Sequence, residues 1–159
     1  TVHGRTRTQM YEGMSDYDYI KKAKESVKIK VIANGDINTL DKAIEVLNYT
    51  GCDGIALGRG ILGNPFLITQ IKKYYETGER LHLPTIEMQI EYLKEHFNLL
   101  MELKGEFHAV QEIRGISTHY LKGFSNVRDY KVRFSTIKEA KEFFNLCSLI
   151  LKDEKIQRV

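Results

Sequence analysis

Residues 30–36 read Lys30-Val31-Ile32-Ala33-Asn34-Gly35-Asp36, and residues 54–60 read Gly54-Ile55-Ala56-Leu57-Gly58-Arg59-Gly60. Each is a short apolar run with no polar alternation, closed by a glycine turn. Such runs predict strands buried on both faces, as in a parallel sheet covered by helices. Between them, residues 40–50 place Leu40, Ala43, Ile44 and Leu47 at helical spacing, with Gly51 as the stop. Working outward, Thr1-Val2-His3 reads as the tail of another strand and residues 17–26 as its helix. Pro65, at a first-turn position, opens a further helix that runs to Tyr75, before Thr77-Gly78. Residues 1–77 thus predict strand and helix three times over, an α/β arrangement.

The pattern changes after residue 84. Ile86, Ile90, Leu93, Phe97 and Leu100 share one face of a long helix; Val110, Ile113, Ile116 and Tyr120 mark a second. Ile137, Ala140, Phe144, Cys147 and Leu151 mark a third, with Ser135-Thr136 as the expected cap. The expected organisation is an α/β part over residues 1–80, a linker at 78–84, and an all-α helical bundle over 84–159.

With 159 residues, 42% hydrophobic and 28% charged, the chain has enough apolar material for a core, which excludes a disordered chain. No apolar run nears the ~18 residues that span a membrane. Thr1-Val2-His3-Gly4-Arg5 lacks an initiator Met and the apolar core of a signal peptide. The two cysteines, Cys52 and Cys147, are too few for a disulfide framework, so a reducing, cytoplasmic setting is expected. Both read as packing residues rather than nucleophiles. No histidine pair has metal-ligand spacing, so no metal is expected.

In parallel α/β folds, ligands bind at the carboxyl ends of strands. Asn34-Gly35-Asp36 and Gly58-Arg59-Gly60 stand at two such ends, one βα unit apart. Bare glycine backbone can approach a phosphate and aim N–H groups at it, and Arg59 adds a forked charge. Either glycine turn alone serves a tight turn equally well; the pair predicts a phosphate site. Gly58 to Gly63 also fits G-x-G-x-x-G, but no second strand ending in an acidic residue follows. His3, with Arg5 and Arg7 beside it, stands at the first strand end, where an imidazole can reach a ligand or simply occupy a turn. From Lys104 to Arg133 there are six basic residues (Lys104, Arg114, Lys122, Arg128, Lys131, Arg133) against three acidic ones (Glu106, Glu112, Asp129), a modest basic surface for phosphates or an ordinary solvated face.

Four blocks carry a family resemblance: Thr1-Val2-His3-Gly4-Arg5-Thr6-Arg7, Val31-Ile32-Ala33-Asn34-Gly35-Asp36-Ile37, Thr50-Gly51-Cys52-Asp53-Gly54, and Gly58-Arg59-Gly60-Ile61-Leu62-Gly63-Asn64-Pro65. In order and spacing the chain resembles the bacterial tRNA-dihydrouridine synthases. Arg114-Gly115 and His119-Tyr120-Leu121-Lys122-Gly123 resemble that family's C-terminal RNA-binding region more loosely. The resemblance implies the C-terminal part of an FMN-binding (β/α)8 TIM barrel followed by a helical tRNA-binding domain. It implies reduction of the C5=C6 bond of tRNA uridines, with NADPH as reductant. Expected cofactor contacts are His3, Asn34, Gly35, Asp36, Gly58 and Arg59; expected RNA contacts are Arg114, Lys122 and Arg128, with His119 as an additional candidate. No catalytic residue is assigned: the family's catalytic cysteine and flavin-contacting lysine would lie upstream of residue 1, so this chain reads as a fragment, inactive alone. Its partners would be tRNA and the missing half-barrel, or a second copy pairing through open strand edges. Two other readings stand beside it: a non-redox RNA-binding module, and the phosphate-binding part of another barrel enzyme.

Overall fold

The computed structural model describes residues 1–10 and 12–159. They form two compact units: Thr1–Ile61 with Phe66–Leu81, and Leu62–Pro65 with His82–Val159.

The first unit is a three-stranded parallel sheet with helices between the strands. Strands β1 (Val2–His3), β2 (Ile32–Asn34) and β3 (Gly54–Ala56) lie in chain order. Helices α1 (Tyr17–Ser26), α2 (Leu40–Thr50) and α3 (Phe66–Thr77) follow them. The ends of α2 follow from local chemistry. Thr39 Oγ1 accepts the Lys42 N–H at 3.1 Å, and Gly51 closes the helix at φ 64°, where a side chain is disfavoured. Asp16 caps α1 in the same way, accepting from Asp18 N–H at 2.9 Å. Ile20, Val31, Ala33, Ile37, Ala43, Val46 and Leu67 are buried as one core. Side chains alternate across a strand. In β2 and the residue before it, Val31 and Ala33 are buried, whereas Ile32 and Asn34 on the opposite face are only half-buried.

The second unit is helical. Helix α4 (Ile86–Tyr120) contains a reversal at Gly105, whose φ 75° and ψ 161° lie outside any helix. Its arms are the two helices expected from the apolar spacing around 86–100 and 110–120. A straight helix would separate His96 from Tyr120 by roughly 36 Å; here His96 Nδ1 and Tyr120 Oη are 3.1 Å apart, so the arms fold back on each other. Burial and, secondarily, the charge of Glu95 push the Tyr120 phenol up to about 12. Helices α5 (Arg128–Thr136) and α6 (Ala140–Lys152) complete the bundle around Phe97, Phe134 and Phe143. Phe143 stacks 4.1 Å from Phe97 and 5.6 Å from Phe134, ring centre to ring centre.

Two expectations are corrected here. Ser135-Thr136 does not cap the last helix. It ends α5, a helix the sequence reading lacks, and both hydroxyls donate back into it, to Val132 O and Arg133 O. The last helix begins at Ala140, whose N–H donates to Glu106 Oε1 at 2.8 Å, across the bundle. Leu62–Pro65 belong with the helical unit rather than with residues 1–80. Buried Gln89 donates to Gly63 O at 3.0 Å, and a Cβ on Gly63 would stand 2.3 Å from the His119 carbonyl carbon. The C-terminal residues are clasped onto the same unit. The Arg158 guanidinium lies 4.3 Å over the Phe124 ring and donates to Pro84 O, through Nε at 2.9 Å and through Nη2. The Val159 N–H donates to Gly123 O at 3.0 Å.

Candidate phosphate and cofactor site at the strand ends

The parallel register aligns His3 with Asn34, and Asn34 with Ala56, so the last residues of the three strands form one row. Asn34 Nδ2 donates to Ala56 O at 2.7 Å and fixes the spacing of β2 and β3 beyond their ladder. The two glycine turns leave this row side by side. A Cβ on Gly60 would lie 2.0 Å from the Ile37 carbonyl oxygen, so only glycine lets the turn after β3 close against the turn after β2. Arg59 to Ile61 form one turn of 3-10 helix, closed by Ile61 N–H to Gly58 O at 3.2 Å.

Besides Asn34, three of the expected cofactor residues make defined hydrogen bonds. His3 is exposed, and its Nδ1 accepts the Arg5 N–H at 3.0 Å. Gly35 adopts φ 130°, and its carbonyl accepts from Tyr17 Oη at 2.9 Å. Asp36 sits at φ 52°, with its carboxylate gripped by Arg5 Nη1 and Nη2, each at 2.7 Å, and by Ser15 N–H at 2.8 Å. Burial alone would raise the Asp36 carboxyl. The Arg5 hydrogen bonds, the Ser15 N–H and the guanidinium charge together outweigh it and hold the group below the ordinary carboxylate range. Asp36 therefore has its backbone, not its side chain, to offer a ligand. Gly58 and Arg59 are exposed, and a Cβ on Gly58 would meet nothing within 4 Å: its backbone is bare and faces open space.

The expected RNA residues all lie in the helical unit. Lys122, in the turn after α4, and Arg128, at the start of α5, are exposed. Arg114 is half-buried and donates through Nε to Ile137 O at 2.8 Å, which ties α4 to the segment before α6. His119 is exposed in the last turn of α4.

Both cysteines are buried. Burial pushes the Cys147 thiol up to about 12, so it is no thiolate at neutral pH. Among the described residues, no cluster of three or more His, Cys, Asp or Glu side chains is arranged to hold a metal ion, and no helix is long and apolar enough to cross a membrane. The sequence reading noted Arg5 as one basic residue of a cluster but assigned it no role, and it passed over Ser15 and Tyr17. Their partners lie 7–31 residues away in the chain, and no local spacing links them.

A sequence model of the dihydrouridine synthase (Dus) family matches residues 1–158. The chain is 45% identical over 131 residues to a probable tRNA-dihydrouridine synthase of Rickettsia conorii, covering 82% of this chain and 40% of that protein. It is 38% identical over 156 residues to tRNA-dihydrouridine synthase B of Shewanella oneidensis, covering 98% of this chain and 48% of that protein. It is 36% identical over 148 residues to probable tRNA-dihydrouridine synthase 1 of Synechocystis, covering 91% and 41%. The chain thus spans less than half the length of these curated relatives. With the family match running through both units, from the strand ends to the C-terminal clasp, the chain belongs to the dihydrouridine synthase family.

Proposed function

We propose that this chain is the flavin-phosphate-holding and tRNA-holding portion of a tRNA-dihydrouridine synthase. The observation that carries the reading is the row of strand ends, His3, Asn34 and Ala56, with two glycine turns packed together beyond it. In this reading the sheet is the last three strands of a (β/α)8 barrel, which holds phosphate at the loops after its final strands. The half-buried Ile32 and Asn34 support it, because the remaining strands of a barrel would cover that face.

The backbone N–H groups of Gly35, Asp36 and Gly58 and the guanidinium or amide of Arg59 would hold the FMN phosphate, with Asn34 nearby and His3 toward the ring. When bound, FMN recharged by NADPH supplies the hydride for the C5=C6 bond of a tRNA uridine. Neither Cys52 nor Cys147 delivers the accompanying proton, since both are packed into cores. This chain by itself therefore holds and orients without completing the reaction. Lys122 and Arg128, with Arg114, would neutralise tRNA phosphates and fix the register of the RNA without reading its sequence.

The test is FMN binding to the full-length flavoprotein, followed by flavin fluorescence beside riboflavin, which lacks the phosphate. Arg59→Ala removes a charge-assisted contact, about 1.5–3 kcal/mol. FMN should bind roughly tenfold to hundredfold more weakly while riboflavin binding is unchanged. Unchanged FMN affinity would overturn the site.

A further inference from the structure

Arg5 stands two residues beyond the end of β1, at the proposed cofactor face, where a basic side chain invites the role of phosphate ligand. Its geometry argues otherwise. A guanidinium has five N–H donors in a fixed fork, and all five are engaged. Nε donates to Glu12 O at 3.3 Å. Nη1 donates to Ser15 Oγ at 3.2 Å and to Asp36 Oδ1 at 2.7 Å. Nη2 donates to Gly13 O and to Asp36 Oδ2, both at 2.7 Å. The side chain is only 6% exposed. Arg5 has no donor left for a ligand.

These bonds join the loop after β1 to the first residues beyond β2. Gly4 N–H donates to Asn34 O, Asp16 N–H to Gly4 O, and Tyr17 Oη to Gly35 O, all across the same joint. Arg5's own N–H then donates to His3 Nδ1 at 3.0 Å. A ring nitrogen that accepts carries no hydrogen, so the neutral imidazole holds its proton on Nε2. The ring lies along β2, with Cε1 3.5 Å from where a Gly35 Cβ would stand. An exposed histidine would otherwise exchange between tautomers and rotate freely.

We propose that Arg5 is a positioning residue: by locking the β1 loop onto Asp36 it keeps its own N–H on His3 Nδ1 and presents His3 at the strand ends as an Nε2–H donor to the bound flavin. The inference rests on the cofactor reading above for the identity of the acceptor, but not for the state of His3 itself. It also removes Arg5 from the ligand contacts, because its guanidinium is spent inside the fold.

The experiment uses this chain with 15N-labelled histidine. Long-range 1H–15N spectra distinguish protonated from unprotonated ring nitrogens, and His3→Gln assigns the His3 signals. Above the histidine titration, His3 should show one tautomer, with an unprotonated Nδ1. In Arg5→Lys, which keeps the charge and loses the fork, both His3 nitrogens should move toward the averaged values of a free histidine. Buried Val46 and Leu67, in the same α/β unit, should keep their amide-exchange protection and report an intact fold. A purely structural role for Arg5 would lower stability and leave the His3 tautomer alone. Unchanged His3 signals in folded Arg5→Lys would therefore overturn the proposal, as would mixed tautomers in the wild type. Should Arg5→Lys fail to fold, Asp36→Asn, equal in size and weaker as an acceptor, decides by the same readout. Adding FMN to the wild type separates the two claims. A single tautomer whose Nε2 signal ignores FMN up to saturating concentrations refutes His3 as a flavin contact and leaves the Arg5 assignment standing.

Discussion

Replacing Gly105 by alanine tests the reversal on which the helical unit is built. At φ 75° and ψ 161°, Gly105 occupies a region that is essentially closed to residues with a side chain. A Cβ there would meet nothing within 4 Å, so no clash contributes and the whole cost is backbone strain, about 1–3 kcal/mol. The chain can relieve that strain by continuing the helix through residue 105. It would then lose the His96–Tyr120 hydrogen bond and expose the apolar faces of both arms. Gly115 supplies a control of opposite sign. It too has open space at its Cβ position, but it lies in the helical interior of the second arm and is exposed. Gly115→Ala should stabilise by up to about 1 kcal/mol. The assay is native-state amide exchange at buried Phe97 and Ile113, which reads the helical unit independently of the α/β unit. Gly105→Ala should speed exchange roughly fivefold to a hundred-and-fifty-fold, while Gly115→Ala slows it. Gly105→Ala that is neutral or stabilising would refute the reversal.

Acid stability should report on Asp36. Its carboxyl pKa is lower in the folded chain than in the unfolded one, so between those values the unfolded state binds the extra proton. Its contribution is complete above the ordinary aspartate value and is lost as pH falls through the folded value; Asp36→Asn should flatten that part of an acid-unfolding curve. Neutralising Lys122 and Arg128, and Arg114 with them, should weaken tRNA binding and reduce its log–log salt slope by up to about three units. An unchanged slope would remove these residues from the interface. Because Arg114 also holds Ile137 O, its substitution should lower thermal stability, whereas the two exposed residues should not. The chain alone should not reduce tRNA with FMN and NADPH supplied, and light scattering should find it self-associated through the outer strands β1 and β3. A stable monomer at high concentration would overturn that edge argument.

The α/β half is legible because its signals are local. Continuous apolar runs ended by glycine mark β2 and β3, and Thr39 with Gly51 brackets α2 within the sequence itself. The four strand-end blocks carry the family resemblance for the same reason, and the family match runs over the same residues. What escapes reading is non-local. Helix α5 buries only Phe134 fully, with Tyr130 packed at the edge of the core and Val132 exposed, so no periodic stripe announces it. The start of α6 depends on Glu106, 34 residues earlier, and the attractive Ser135-Thr136 pair is consumed by the preceding helix. Arg5 looks like any basic residue near a strand end until Asp36, Ser15 and the carbonyls of Glu12 and Gly13 surround it.

The C-terminal clasp has a topological consequence. Because Arg158 closes onto Pro84, most of the helical unit enters and leaves at a single point, like a bead tied at its neck. A segment whose ends coincide can be spliced into a surface loop of another protein without prying the host's ends apart. Tension applied between those ends loads the Arg158–Pro84 knot before any helix is stretched. Residues 84–159 are accordingly a natural unit to transplant, and trimming the last two residues should loosen the bead at its neck first.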